Sequence, residues 1–266
     1  DIVTGLWAEV DVTTLTDEAA IRSAARQLKA QGMTYAILTL KDTAGQVYYA
    51  SQTAVGAANA APTQVELTSV ASIFKEEGLV PVAALTAFRD PAGARADHAL
   101  AIRYQGQEYL WLDNKASAGG NPWLNPYSTA AVEYVGDLVE EVQQLGFEQV
   151  VLTNVQFPKL SKKQDYGTTN GGSRADQLKA DIAALQDRLS GKVTLWFSYT
   201  LDQCKNSSVA LDVPALTLGV QNLLVTSDAA MDADALQALE TAAADAGVES
   251  LTVHAADRFE TDRVSG

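Results

Sequence analysis

Three carboxylates stand where they could do chemistry. Asp42 follows the apolar run Tyr35 to Leu40, Asp90 follows Leu79 to Phe88, and Glu9 lies inside the first run, Gly5 to Val12. Two carboxylates at neighbouring strand ends can work together, one as acid and one as base or nucleophile. Each also has a plainer role. Lys41 and Arg89 stand directly before Asp42 and Asp90, and aspartate is a good loop cap. Glu9, if buried, needs a partner. Asp11 and Asp113 are weaker candidates of the same kind. His254 could act as a general base on the last run, against the plainer reading of a satisfied core or rim histidine.

Other reactive types are scarce. His98 and His254 are the only histidines, so a histidine-rich zinc site is not expected, and nothing calls for a metal or a cofactor. Cys204 is the single cysteine, so no disulfide forms within the chain. Its setting, Asp202-Gln203-Cys204-Lys205, matches no nucleophile signature and reads as ordinary.

The elements that must position these groups alternate. Apolar strand-like runs at 5–12, 35–40, 79–88, 149–155, 192–200, 223–226 and 250–254 are separated by amphipathic helices at 17–31, 63–77, 129–145, 174–189 and 233–246. Such βα repetition implies a parallel sheet with helices outside, and hence an α/β fold: a (β/α) TIM-type barrel spanning 1–266 as a single domain. The eighth strand is not visible in the short polar tail from Ala255 to Gly266, so the barrel is expected to be incomplete or irregular there. The alternative is an open doubly wound sheet, but no phosphate-binding Gly-rich turn follows the first strand. The region 206–219 is the hardest to assign, because Val213-Pro214 interrupts any helix. A long insertion, 89–128, and a polar loop, 159–173, stand out.

Composition excludes some partners. Net charge is −14, which argues against nucleic acid and against an anionic membrane surface. No run of about 18 apolar residues exists, so no membrane insertion is expected. No signal peptide is visible, and Asp1 directly precedes a strand, as in a processed or trimmed chain.

Four segments carry a resemblance. They are Ile37-Leu38-Thr39-Leu40-Lys41-Asp42-Thr43-Ala44-Gly45 with Tyr49-Ala50-Ser51; Phe88-Arg89-Asp90-Pro91; Trp123-Leu124-Asn125-Pro126-Tyr127-Ser128; and Gly146 to Pro158. In order and spacing they are similar to the motifs of a family of glycoside-hydrolase-like TIM barrels. The resemblance implies sugar chemistry at the strand ends. It also implies that the family's acids are replaced by Thr39, Asn125 and Thr153, and its arginine before Phe-Pro by Gln156. Asp42 and Asp90 are the motif acids that remain. The catalytic candidates are therefore Asp42 and Asp90 from the motifs, with Glu9 added by its place on the first strand. Lys41, Arg89, Asn125, Tyr127, Thr153, Asn154 and Gln156, with Trp111, Trp123 and Trp196 as ring platforms, are the implied sugar contacts. Trp7 and Tyr199 read more readily as core.

The expected partner is an oligo- or polysaccharide, in an extracellular or bacterial cell-envelope setting. The expected function is a carbohydrate-binding barrel degenerate at its acids. An active glycosidase with relocated carboxylates and a structural envelope module are the alternatives. Two carboxylates facing one cleft would separate the first alternative from the rest.

Overall fold

The computed structural model of the chain describes residues 2–264. The strands are β1 (Gly5–Val10), β2 (Tyr35–Lys41), β3 (Val80–Thr86), β4 (Arg103–Tyr104), β5 (Gln149–Thr153), β6 (Gln164–Asp165), β7 (Thr194–Thr200), β8 (Asn222–Thr226), β9 (Ser250–Ala255) and β10 (Arg258–Arg263). The helices are α1 (Glu18–Ala30), α2 (Ala54–Ala58), α3 (Leu67–Glu76), α4 (Pro91–Ala96), α5 (Thr129–Gln144), α6 (Arg174–Leu189), α7 (Leu201–Lys205) and α8 (Ala233–Asp245). Helices start where polar caps meet apolar periodicity. Asp17 accepts from the Ala20 N–H at the head of α1, and Ser173 with Asp176 forms a capping box at α6.

Eight strands close a barrel in the order β1-β10-β9-β8-β7-β5-β3-β2. All but β10 are parallel. This is the expected TIM-type barrel, and its eighth strand lies in the tail that had read as too polar. β10 runs antiparallel to both β9 and β1. A parallel return needs a crossover of a dozen or more residues, whereas Ala256 and Asp257 alone separate β9 from β10. The tail alternates from Arg258 to Asp262. Phe259 and Thr261 pair with the inward-facing His254 and Thr252. Arg258 and Glu260 take the opposite parity and pair with each other at 2.8 Å. Charge on one face hid the strand.

Side chains fill the barrel. Trp7, Tyr35, Val82, Ala84, Val151, Trp196 and Leu224 form one buried cluster. Trp7 stacks on Tyr35 at 4.6 Å and meets Trp196 edge-on at 5.8 Å. Each indole N–H is satisfied, Trp7 by the Thr261 hydroxyl and Trp196 by Gln149 Oε1 at 2.8 Å. A larger core lies between the sheet and the helices.

The insertion at 89–128 is structured. It holds α4, two short 3-10 turns and β4. β4 pairs antiparallel with β6, tying the insertion to the loop after β5. Region 206–219 contains a single 3-10 turn at Ala215–Thr217, following the short α7.

Candidate active site

The parallel strands end on one face, and a cleft of about 490 Å3 opens there beside β1 and β2. Glu9, Asp11, Thr39, Asp42 and Tyr48 line it. Strand parity puts Glu9 on the inward row of β1 with Trp7, and Thr39 on the same row of β2 as Tyr35 and Ile37. Asp42 is half-buried. It accepts from the Ala44 and Gln46 N–H groups, each at 3.0 Å, and from the Tyr48 hydroxyl at 2.8 Å. Asp11 accepts from the Thr13 hydroxyl and N–H, which hold its carboxyl below the ordinary range. Glu9 is exposed, and among the described residues no donor is committed to its carboxylate. Tyr48 was not a sequence candidate. Its one signal is that it adjoins the Tyr49 of the first motif.

Asp90 is somewhere else. It has no exposed surface, and its carboxylate lies 2.7 Å from Lys41 Nζ, also sealed. Lys41 donates to the Thr86 carbonyl at 3.0 Å and lies 4.9 Å from the Tyr134 ring centre. Asp90 caps α4 by accepting from the Gly93 N–H at 2.7 Å. Gly45, with a φ of +88°, leaves the space Asp90 occupies, since a Cβ there would sit 1.9 Å from its Oδ1. The first two motifs thus interlock, Lys41 and Gly45 receiving Asp90. This corrects the expectation for both Asp90 and Lys41: neither can reach a sugar.

The expected ring platforms are corrected too. Trp196 fills the barrel and is fully buried. Trp123 is 6% exposed and donates to Asp113 Oδ2 at 3.0 Å. Trp111, within the insertion, is 3% exposed. Asn125 is buried as well, donating to the Tyr166 carbonyl at 2.9 Å and accepting from the Tyr127 N–H at 3.0 Å. Tyr127 is half-buried beside Phe157 and Tyr166. Asn125 and Tyr127 line a separate polar cavity of about 430 Å3, away from Glu9 and Asp42.

The remaining candidates sit at the strand ends. Thr153 is half-buried at the end of β5, opposite Thr86 in register. Asn154 adopts a left-handed φ of 55° and accepts from the Thr86 hydroxyl at 3.1 Å, so its side chain braces the turn. Gln156 accepts from Gln203 Nε2 at 3.5 Å. Arg89 is exposed, with no ion pair or side-chain hydrogen bond among the described residues. His254 stacks on Phe259 at 4.5 Å, and burial pulls its pKa down to about 4. It is therefore neutral at pH 7 and a weak base. Burial pushes the Cys204 thiol up to about 12, which makes it a poor nucleophile. No helix among the described residues is long and apolar enough to cross a membrane.

A family described as a putative glycosyl hydrolase domain matches residues 10–208, from the end of β1 past α7. The chain belongs to that family. Solved structures agree on the fold. A hypothetical protein from Ruminiclostridium thermocellum ATCC 27405 superposes with a TM-score of 0.61 at 19% identity, over 71% of this chain and 95% of that one. The GH20 exo-β-N-acetylglucosaminidase from Vibrio harveyi, in complex with N-acetylglucosamine, gives 0.59 at 9% identity, over 94% and 41%. A cycloisomaltooligosaccharide glucanotransferase from Paenibacillus sp., complexed with cycloisomaltoheptaose, gives 0.61 at 10% identity, over 94% and 38%. The domain spans about two fifths of the length of those two enzymes. No curated protein matches it in sequence.

Proposed function

We propose that the domain binds carbohydrate at the mouth of its barrel and hydrolyses it slowly or not at all. The observation that carries this reading is the composition of the mouth cleft. Carboxylates at Glu9, Asp11 and Asp42 can accept from sugar hydroxyls, while Thr39, where the resemblance places an acid, brings a neutral hydroxyl. Thr153, the other replaced strand-end acid, is neutral as well. Glycoside hydrolysis needs one carboxyl that holds a proton and one that does not. The Thr13 hydroxyl and N–H keep Asp11 ionised, so it is not the proton-holding carboxyl. An extracellular or cell-envelope setting goes with this reading, because polysaccharides are displayed there.

A second reading has one observation in its favour. Glu9 and Asp42 line one cleft, so they could act as a relocated catalytic pair. One experiment separates the two. Oligosaccharides are titrated into the protein by calorimetry, and aryl glycosides are assayed with the wild type. Binding with turnover well below the order of 1 per second is expected. Turnover at that rate or faster, abolished by Glu9→Gln, would overturn the degenerate site in favour of the second reading.

A further inference from the structure

The insertion carries a groove of about 540 Å3 beside the barrel end, lined by Tyr104, Tyr109, Trp111, Lys115, Lys159 and Lys163 among others. It shares no residue with the mouth cleft. Its frame is firm. The Tyr104 N–H donates to the Tyr109 carbonyl at 2.9 Å, the Gln105 N–H donates to the Lys163 carbonyl at 2.7 Å, and β4 pairs with β6.

The charge in this groove runs against the rest of the chain. Acids outnumber lysines and arginines by 33 to 19, yet three lysines and no carboxylate line the groove. Among the described residues the side chains of Lys115 and Lys159 have no ion pair or hydrogen bond, and Lys163 Nζ lies 5.6 Å from the Tyr104 ring centre. The nearby acids are engaged elsewhere. Glu108 lies 3.7 Å from Arg103, Asp113 accepts from Trp123 Nε1 and the Asn121 N–H, and Asp165 accepts from the Gly167 N–H. Lysines left unpaired on an acidic protein keep their full attraction for an outside anion. Beside them Tyr109 is 56% exposed, and its ring lies 5.3 Å from that of Tyr104.

We propose that this groove is a second binding site, for an anionic polysaccharide of the polyuronate class. A uronate chain offers a C–H ring face to each tyrosine and one carboxylate per sugar to the lysines. A nucleic-acid duplex fits less well, because its phosphates are denser along the chain than three lysines can neutralise. The groove is independent of the mouth: it would bind whether or not the mouth takes a sugar.

The test measures binding of polygalacturonate and of the same polymer fully methyl-esterified, which keeps the backbone and removes the charge. The wild type binds the first, more weakly as salt rises, and not the second. Lys159→Glu with Lys163→Glu lowers that affinity by about tenfold or more, as expected for reversing two solvent-exposed charges. Tyr109→Ala lowers it as well. Absence of polygalacturonate binding, equal binding of the esterified polymer, or a folded double variant that binds like the wild type overturns the proposal. So does tighter binding of a single-stranded oligonucleotide. Should the double variant fail to fold, the esterification and salt comparisons on the wild type still decide.

Discussion

Asp42 and Asp90 follow neighbouring strands, each directly after a basic residue, and the two have opposite fates. Asp42 looks into the mouth cleft, held by two backbone N–H groups and a tyrosine hydroxyl. Asp90 is sealed against Lys41 beneath Gly45. The difference lies in the turn that follows. After Asp42 the chain closes a tight turn, so the carboxylate gathers donors from its own loop and stays near solvent. After Asp90 the chain enters α4 through Pro91, and the carboxylate turns inward as a helix cap. A strand-end acid is therefore a candidate for chemistry only when its own loop leaves it at the surface.

The sharpest way to break this comparison is to remove the sealed acid. Asp90→Ala leaves Lys41 charged and buried, so thermal or denaturant unfolding should show a loss of about 3–5 kcal/mol. Lys41→Met with Asp90→Leu removes both charges at similar volume and should recover most of that loss. A single variant as stable as the wild type would show that the pair is not what closes the loop.

Asp181 shows what burial does to an acid that has no cation. It is 4% exposed on α6 with only Gln177 as partner, and burial raises its pKa to about 7. The folded value lies above the unfolded 3.8, so the folded state holds this proton longer. Stability from this group is full below pH 3.8 and is lost as pH rises through about 7. His254 works in the opposite sense. Its folded value of about 4 lies below the unfolded 6.5, so its contribution is full above pH 6.5 and is lost as pH falls toward 4. The two slopes oppose each other between those values. Asp181→Asn should therefore stabilise the protein at pH 8 by up to about 4 kcal/mol, with the gain gone by pH 4. It should also expose the rise with pH that His254 produces. A gain that does not vary with pH would sink this account.

The barrel was legible because its strands and helices keep distinct periods, and the eighth strand was missed because its outward row is charged. The site was less legible. The resemblance picked out Asp42 and Asp90 alike, because spacing in the chain does not report which way a turn carries a side chain. Trp111 and Trp123 looked like platforms because they lie in an insertion, but that insertion packs both rings into the main core. The lysine groove was not legible as a site: Lys159, Lys162 and Lys163 read as a basic run in a solvated loop, Lys115 lies more than forty residues away, and the β4–β6 pairing brings the two stretches together. A faint signal was present in Tyr104 and Tyr109, which flank the Gly106 turn of a hairpin.

Removing the open acid should cost less than removing the sealed one. Asp42→Ala gives up three hydrogen bonds that water can partly replace, so about 1–2 kcal/mol is expected from unfolding. A loss as large as that of Asp90→Ala would erase the distinction between them.

The smallest stability effect belongs to Glu9. It is exposed on the inward row of β1, and no side chain or backbone donor is engaged with it. Surface changes of this kind usually stay within about 0.5 kcal/mol. Glu9→Gln keeps the size of the side chain and removes its charge. A group that serves the fold would show its loss in unfolding, whereas a group held for a ligand would show it in binding. The melting temperature should therefore barely move, while oligosaccharide affinity at the mouth falls by roughly tenfold, as loss of a charge-assisted hydrogen bond would produce. A melting temperature that drops while affinity holds would place Glu9 with Asp90 among the structural acids and leave the mouth without its free carboxylate.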